Sequence, residues 1–187
     1  NYPSSDGTAS AYEETIEKGT APKLFTWDSR WGGVSFGSSI LAVNGSGPTA
    51  LSMAYMGLTG KGDKTPADIA ELVTKANDAT GDSGMHSDFV ETHLDDLGLR
   101  AQSYDSSAAN INALLDQGTY LLAEVKENAF GDNAPAHWVL IASENADGSV
   151  MVYDPTSPEV SSHPWDSATV AAATQTLYVV SASESAE

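Results

Sequence analysis

A turn of small residues runs directly into a strongly apolar helix, and this junction constrains the fold more than any other stretch. Residues 44–50 read NGSGPTA, and the residues after them are apolar on nearly every face of a helix that ends near Gly57 and Gly60. Proline is favoured in a first helical turn, where its missing N–H needs no partner, so Pro48 indicates the helix start. Ser46 therefore lies at the beginning of a buried helix. Taken locally, Ser46 is more readily a helix cap than a nucleophile, and both interpretations stay open.

Further helices are predicted in the first part of the chain and strands in the second. Thr65 begins one helix, Ser87 caps the next, and a third covers about residues 107–117. The β-prone runs are residues 119–125, 137–143, 150–153 and 175–181. Helices gathered ahead of antiparallel strands predict an α+β domain.

Two of the predicted strands form a hairpin that carries candidate catalytic residues. Residues 144–149 (ENADGS) are typical of a hairpin connection, with His137 at the start of the first strand and Asp154 at the end of the second. Side chains at such opposed positions lie within reach of each other. A carboxylate beside an imidazole orients the ring, and Ser46 would complete a set of nucleophile, base and orienting acid. Alternatively, His137 is a core histidine and Asp154 opens a turn with Pro155.

Charge and cysteine content exclude several classes of function. Acidic residues number 26 against 8 basic ones, which gives a formal net charge of −18. Such a surface repels nucleic acid and anionic membrane surfaces, so neither is an expected partner. No apolar run reaches membrane-spanning length. The chain has no cysteine, which excludes disulfides, thiolate metal sites and a cysteine nucleophile.

The remaining histidines indicate neither a metal site nor a cofactor site. His86 lies in a predicted turn, His93 on the flank of a helix, and His163 directly before a proline. None has a second histidine at a spacing typical of metal ligands. We therefore predict that the protein needs no metal and no cofactor.

The chain divides into one domain with two polar ends. Residues 1–22 are rich in Ser, Gly, Thr, Ala and Glu, which predicts a flexible leader or linker. Residues 23–182 form the predicted domain, and residues 183–187 a polar tail. The first residues lack the basic and then apolar pattern of a signal peptide.

The order of several short motifs resembles that of the C39-like cysteine peptidases, a branch of the papain-like superfamily. The similarity extends from about Trp27 to Ser181. The motifs are WDSRWG at 27–32, GSGPTA at 45–50 where the family has Gly-Cys-Gly-Pro-Thr, TP at 65–66, Gly118, AHWVL at 136–140 and VYDP at 152–155.

The resemblance implies a papain-like fold in which a helical subdomain packs on an antiparallel sheet. It assigns His137 as the general base, Asp154 as the orienting acid and Ser46 to the position of the nucleophilic cysteine. It also implies a peptide or protein substrate and an extracellular or cell-surface location. Residues 23–182 would then be a C39-like peptidase domain.

The sequence departs from the family at two points. Serine replaces the cysteine, and Ile40 stands where related bacteriocin-processing enzymes have an oxyanion-hole glutamine. A serine hydroxyl is far less acidic than a thiol, and loss of a triad nucleophile can cost on the order of a million-fold in rate. The sequence therefore predicts an inactive or strongly impaired peptidase. The alternatives are a non-catalytic module that binds a peptide or cell-envelope ligand and, ranked lowest, a serine hydrolase.

Overall fold

The computed structural model of the chain describes residues 16–80, 84–131 and 134–183. The predicted leader up to residue 15 and the predicted tail from residue 184 lie outside the described residues. Within them, the Gly19 N–H donates a hydrogen bond of 2.7 Å to the Gly57 carbonyl, and Ala21 is buried. The chain therefore contacts the core ahead of residue 23.

The described chain contains ten strands and six helices, and most of the longer strands follow residue 98. The strands are β1 (Ser35–Phe36), β2 (Ser39–Ile40), β3 (Ala79–Thr80), β4 (Gly84–Met85), β5 (Leu99–Tyr104), β6 (Tyr120–Val125), β7 (His137–Glu144), β8 (Val150–Tyr153), β9 (Pro164–Trp165) and β10 (Thr174–Ala182). The helices are α1 (Leu41–Asn44), α2 (Ser46–Thr59), α3 (Pro66–Lys75), α4 (Ser87–Thr92), α5 (Ala108–Leu115) and α6 (Ser167–Ala173). Two short 3₁₀ turns cover Leu94–Leu97 and Val160–Ser162.

A six-stranded sheet in the order β5-β10-β6-β7-β8-β9 forms the centre of the fold, and its pairings are antiparallel. Its central strands are buried on both faces, which explains why β6 and β7 are apolar almost throughout. On one face, residues such as Leu122 and Leu140 pack with the helices α2, α3 and α4. On the other face, Leu121 and Ile141 pack with α5 and α6. The α+β prediction is confirmed.

The four predicted strands are observed as β6, β7, β8 and β10, whereas β5 and α6 were not predicted. β5 is an edge strand whose sequence, LRAQSY, is largely polar and whose residues after Leu99 are mostly exposed. An edge strand with little buried surface lacks the apolar pattern on which strand prediction depends.

The central helix α2 ends where the sequence predicted. It runs to Thr59, and Gly60 follows in the left-handed conformation with φ of 71°. Glycine adopts this conformation without a steric penalty, so Gly60 ends the helix. No helix in the described part of the chain combines the length and apolar character needed to cross a membrane.

One predicted helix cap is wrong. Ser87 is the first residue of α4, and the cap is His86, whose Nδ1 accepts a hydrogen bond of 3.2 Å from the Asp88 N–H. Helix α4 is short: it stops at Thr92, and a separate 3₁₀ turn follows. Serine is the more common cap, so only the observed backbone geometry identifies His86 in this role.

Candidate active site

Ser46 begins the central helix and its side chain points toward the sheet. Gly45 occupies the N-cap position, and no side chain caps the helix. The Ser46 Oγ instead accepts a hydrogen bond of 3.0 Å from the backbone N–H of Trp138 in β7. Ser46 is only 6% exposed. The interpretation of Ser46 as a helix cap is therefore wrong, because its hydroxyl oxygen bonds to the sheet and not to its own helix.

Two glycines allow α2 to lie this close to its neighbours. A Cβ atom on Gly47 would lie 2.6 Å from the Cβ of Met85, and one on Gly57 would lie 2.6 Å from the hydroxyl oxygen of Tyr120. Non-bonded carbon atoms normally stay about 3.5–4.0 Å apart. The glycine beside Ser46 therefore lets β4 pack directly against the first turn of α2.

His137 and Asp154 form a buried hydrogen-bonded pair. The His137 Nε2 lies 2.8 Å from Asp154 Oδ2, and the two residues are 6% and 0% exposed. In the hairpin, Leu140 pairs with Tyr153, so Asp154 follows the last residue of β8 and lies opposite the start of β7. The hairpin thus brings together the two side chains that its sequence predicted to be close.

The Asp154 carboxylate is fixed by further donors. Its Oδ1 accepts hydrogen bonds from the Thr156 N–H at 2.8 Å and from the Thr156 Oγ1 at 2.7 Å. The Asp154 N–H donates to the Ser161 Oγ at 2.9 Å. Both carboxylate oxygens therefore have partners, and the side chain has one defined orientation. An aspartate that bonds the N–H two residues later is a common turn motif, so the sequence contained a signal for Thr156.

The second nitrogen of the His137 ring also faces an oxygen. Nδ1 lies 2.7 Å from the carbonyl oxygen of Pro135. A carbonyl only accepts hydrogen bonds, so Nδ1 carries the proton in this contact. When Asp154 is ionised, a ring protonated on both nitrogens donates to both partners at once. Nothing in the sequence indicated the contribution of Pro135.

Trp138 connects Ser46 to the hairpin of β3 and β4. Its backbone N–H binds Ser46, and its indole N–H donates a hydrogen bond of 3.1 Å to the Met85 carbonyl. Its ring is buried and stacks with Tyr178 at a centroid distance of 6.3 Å. Trp138 therefore positions the start of α2, a role that its place in the AHWVL motif did not reveal.

The WDSRWG stretch packs beside the same end of the sheet. Asp28 is buried and pairs with Arg30, whose Nη2 lies 2.6 Å from Asp28 Oδ2. The Trp31 indole N–H donates to the Phe25 carbonyl at 2.8 Å. The Thr26 N–H donates to the Pro155 carbonyl at 3.0 Å, next to Asp154. These contacts attach the segment ahead of α1 to the loop that carries the candidate acid.

The position of the family's oxyanion-hole glutamine holds an aliphatic side chain. Ile40 immediately precedes α1 with extended backbone geometry. Its side chain has no hydrogen-bond donor. The first N–H groups of a helix have no acceptor within the helix, so the start of α2 supplies backbone donors near Ser46.

A group of candidate metal ligands lies apart from His137 and Asp154 in the sequence. Among residues 16–80, 84–131 and 134–183, the group whose side chains could hold a metal ion is Asp78, His86 and Asp88. The sequence gave no indication of this group, because its members come from both sides of the hairpin formed by β3 and β4.

Comparisons with known proteins identify the fold. No protein-family model and no curated protein matches the chain. Among solved structures, the chain is similar to the peptidase domain of Streptococcus ComA, which is described as a bi-functional ABC transporter involved in a quorum-sensing pathway. The TM-score is 0.52 and the sequence identity is 14%, and the similarity covers 74% of this chain and 92% of the ComA domain. A Bacillus anthracis protein described as a C39-like peptidase is similar with a TM-score of 0.53 and 13% identity over 92% of this chain and 100% of that one.

The chain therefore has the papain-like α+β fold of C39 peptidase domains. The family resemblance predicted from the sequence motifs is confirmed at the level of the fold. Because the sequence identities are only 13–14%, the similarity shows the fold alone.

Proposed function

We propose that this protein is a C39-like peptidase domain whose site accepts a peptide or protein, with Ser46 in the position of the nucleophilic cysteine. The observation that carries the proposal is the buried hydrogen bond between His137 and Asp154, one residue away from the contact between Trp138 and Ser46. Hydrolysis by this serine form is absent or strongly impaired.

The proposed roles follow from the chemistry of the three side chains. His137 acts as the general base, and Asp154 orients its ring through the contact at Nε2. A thiol at position 46 would lie at a helix N-terminus, and the proposal requires that the His137 imidazole reach it; both features favour the reactive thiolate. A serine hydroxyl at the same place stays protonated, so the site keeps its shape and lacks its nucleophile. An extracellular or cell-surface location is part of the same proposal.

A non-catalytic binding module is the competing function. The contact between His137 Nδ1 and the Pro135 carbonyl favours it, because a nitrogen that donates its proton to this carbonyl cannot accept one from a nucleophile. Both functions predict that a peptide binds near α2. They differ in whether the site activates a thiol placed at position 46.

Thiol reactivity in a Ser46→Cys variant tests the proposal. The parent chain has no cysteine, so alkylation by iodoacetamide reports position 46 alone. An ordinary cysteine with a pKa near 8.5 should react at pH 6 at roughly a hundredth of its rate at pH 8.5, or less. We expect the Ser46→Cys protein to react at similar rates at the two pH values, because His137 stabilises the thiolate.

Two controls separate activation from access. Ser103→Cys places a thiol at an exposed position of β5 and should show the ordinary pH dependence. Adding His137→Ala to Ser46→Cys should restore that ordinary dependence while the fold, followed by circular dichroism, is retained. The ratio of rates at two pH values cancels differences in accessibility. If Ser46→Cys gives the same ratio as Ser103→Cys, the peptidase proposal fails and the binding module replaces it.

A further inference from the structure

Two acidic residues and a histidine meet at the base of the hairpin formed by β3 and β4. Potential ligand atoms of Asp78, His86 and Asp88 lie within 4.8 Å of one another. Asp78 precedes β3, His86 follows β4, and Asp88 lies in α4. The His86 N–H donates a hydrogen bond of 2.7 Å to the Asp78 carbonyl, so the backbone already holds the two strands' outer ends together.

A second imidazole lies beside this group. The His93 Nε2 is 3.9 Å from Asp78 Oδ2, and the His93 ring stacks on Phe89 at a centroid distance of 5.7 Å. Four side chains from three segments thus present two imidazoles and two carboxylates in one region. These are the donor types that bind zinc and related divalent transition metals, whereas calcium and magnesium prefer oxygen ligands alone.

Helix capping accounts for only part of this arrangement. The His86 Nδ1 accepts a hydrogen bond from the Asp88 N–H and lies 3.5 Å from Asp88 Oδ2. A cap needs one acceptor, which Asn, Ser or Asp supplies more commonly than His. The capping role of His86 does not explain why the Asp78 carboxylate also lies close to the His86 ring.

The side chains have room to close around an ion. Ligand atoms in a tetrahedral zinc site are about 3.4 Å apart, given metal–ligand distances of about 2.0–2.2 Å. The separations of up to 4.8 Å in this group must therefore shorten by roughly 1 Å or somewhat more when an ion binds. The side chains of His86 and Asp88 are 52% and 64% exposed, so both can rotate and an ion can reach them. The net charge of −18 adds a long-range attraction for cations.

We propose that Asp78, His86 and Asp88 form a binding site for one divalent transition-metal ion, with Zn²⁺ as the expected occupant. The site is distinct from the pair of His137 and Asp154. It is separated from the start of α2 by Met85, whose Cβ packs against Gly47 and whose carbonyl binds the Trp138 indole. A bound ion therefore stabilises the hairpin that packs against the first turn of α2.

Isothermal titration calorimetry of the full chain tests the proposal. The protein is first freed of metal with a chelator and is then titrated with Zn²⁺ in the presence of excess Mg²⁺. The excess Mg²⁺ occupies weak cation-binding positions on the acidic surface, so the heat released on adding Zn²⁺ should report the binding of one Zn²⁺ per chain. We expect His86→Asn and Asp78→Asn each to weaken Zn²⁺ binding by about tenfold or more, because each replaces a metal-binding side chain with a neutral amide. Zn²⁺ should also raise the melting temperature of the parent and not of these variants.

The variants and control are chosen to keep the fold. Asparagine is a good helix cap, so His86→Asn retains an acceptor for the Asp88 N–H. Asp78→Asn leaves the backbone bond to His86 in place. His163→Asn removes an exposed histidine elsewhere and should bind Zn²⁺ like the parent. The proposal is overturned if the parent binds no Zn²⁺, or if His86→Asn and Asp78→Asn bind it as tightly as the parent does.

Discussion

Asp154 is the most completely coordinated polar residue of the candidate active site. One carboxylate oxygen faces His137 and the other accepts two hydrogen bonds from Thr156. A fully buried carboxylate is costly unless it is paired and hydrogen-bonded, and here both carboxylate oxygens have hydrogen-bond partners. Such an arrangement suits a residue that must hold an imidazole in one orientation.

Gly47 is the residue at which a small change should most disturb the start of α2. We expect Gly47→Ala to lower the free energy of unfolding by roughly 1–3 kcal/mol, because the new methyl group would overlap the Met85 Cβ, which cannot rotate away. Urea denaturation followed by tryptophan fluorescence measures the loss. Gly33→Ala is the matched control, since a Cβ there meets no atom within 4 Å. Equal stability of the two variants would contradict the packing described for β4 and α2.

Among the elements, those with local sequence signals were predicted best. Thr65 and Asp68 form a capping box at the start of α3, with the Thr65 N–H bound to Asp68 Oδ2 at 2.9 Å, as the sequence TPAD indicated. The hairpin of β7 and β8 was predicted by its turn residues and its two β-prone runs. The edge strand β5 had neither signal, because its pairing with β10 depends on a segment more than 70 residues later.

The capping box offers a test at the scale of one helix. Thr65→Ala should destabilise the protein by ~1 kcal/mol, because the Asp68 N–H loses its acceptor at the helix start. Thr74→Ala is the control within the same helix, since Thr74 is exposed and alanine has the higher helix propensity. Chemical denaturation of both variants measures the difference. A Thr65→Ala protein as stable as the Thr74→Ala protein would show that the box contributes nothing.

At the scale of the whole molecule, two buried tyrosines connect the helical layer to its surroundings. The Tyr55 hydroxyl donates a hydrogen bond of 2.7 Å to Asp63, and the Tyr178 hydroxyl donates one of 2.7 Å to Glu91. Burial, and secondarily the carboxylate partner, raises the pKa of each tyrosine to about 12 from an ordinary 10.0. Each hydroxyl therefore stays protonated in the folded protein at pH values where the unfolded chain ionises.

The raised pKa values of Tyr55 and Tyr178 predict a loss of stability at alkaline pH. Their folded pKa lies above the unfolded one, so their contribution is fully present below pH 10 and is lost as the pH rises toward 12. We expect Tyr55→Phe and Tyr178→Phe each to reduce the fall in unfolding free energy over this range, measured by urea denaturation at a series of pH values. Tyr104→Phe, at an exposed position of β5, should leave the pH dependence unchanged. Parallel curves for all the variants would contradict the prediction.

The sequence by itself determined the features that depend on neighbouring residues: the buried helix that follows residues 44–50, the start of α3, and the hairpin that joins His137 to Asp154. Only the tertiary structure decided where the Ser46 hydroxyl binds, because its partner, the Trp138 N–H, is 92 residues away and is positioned by helix-on-sheet packing. The same holds for the cluster around His86. Its ligands come from separate segments, and the spacing of residues along the chain carries no record of distances that packing creates.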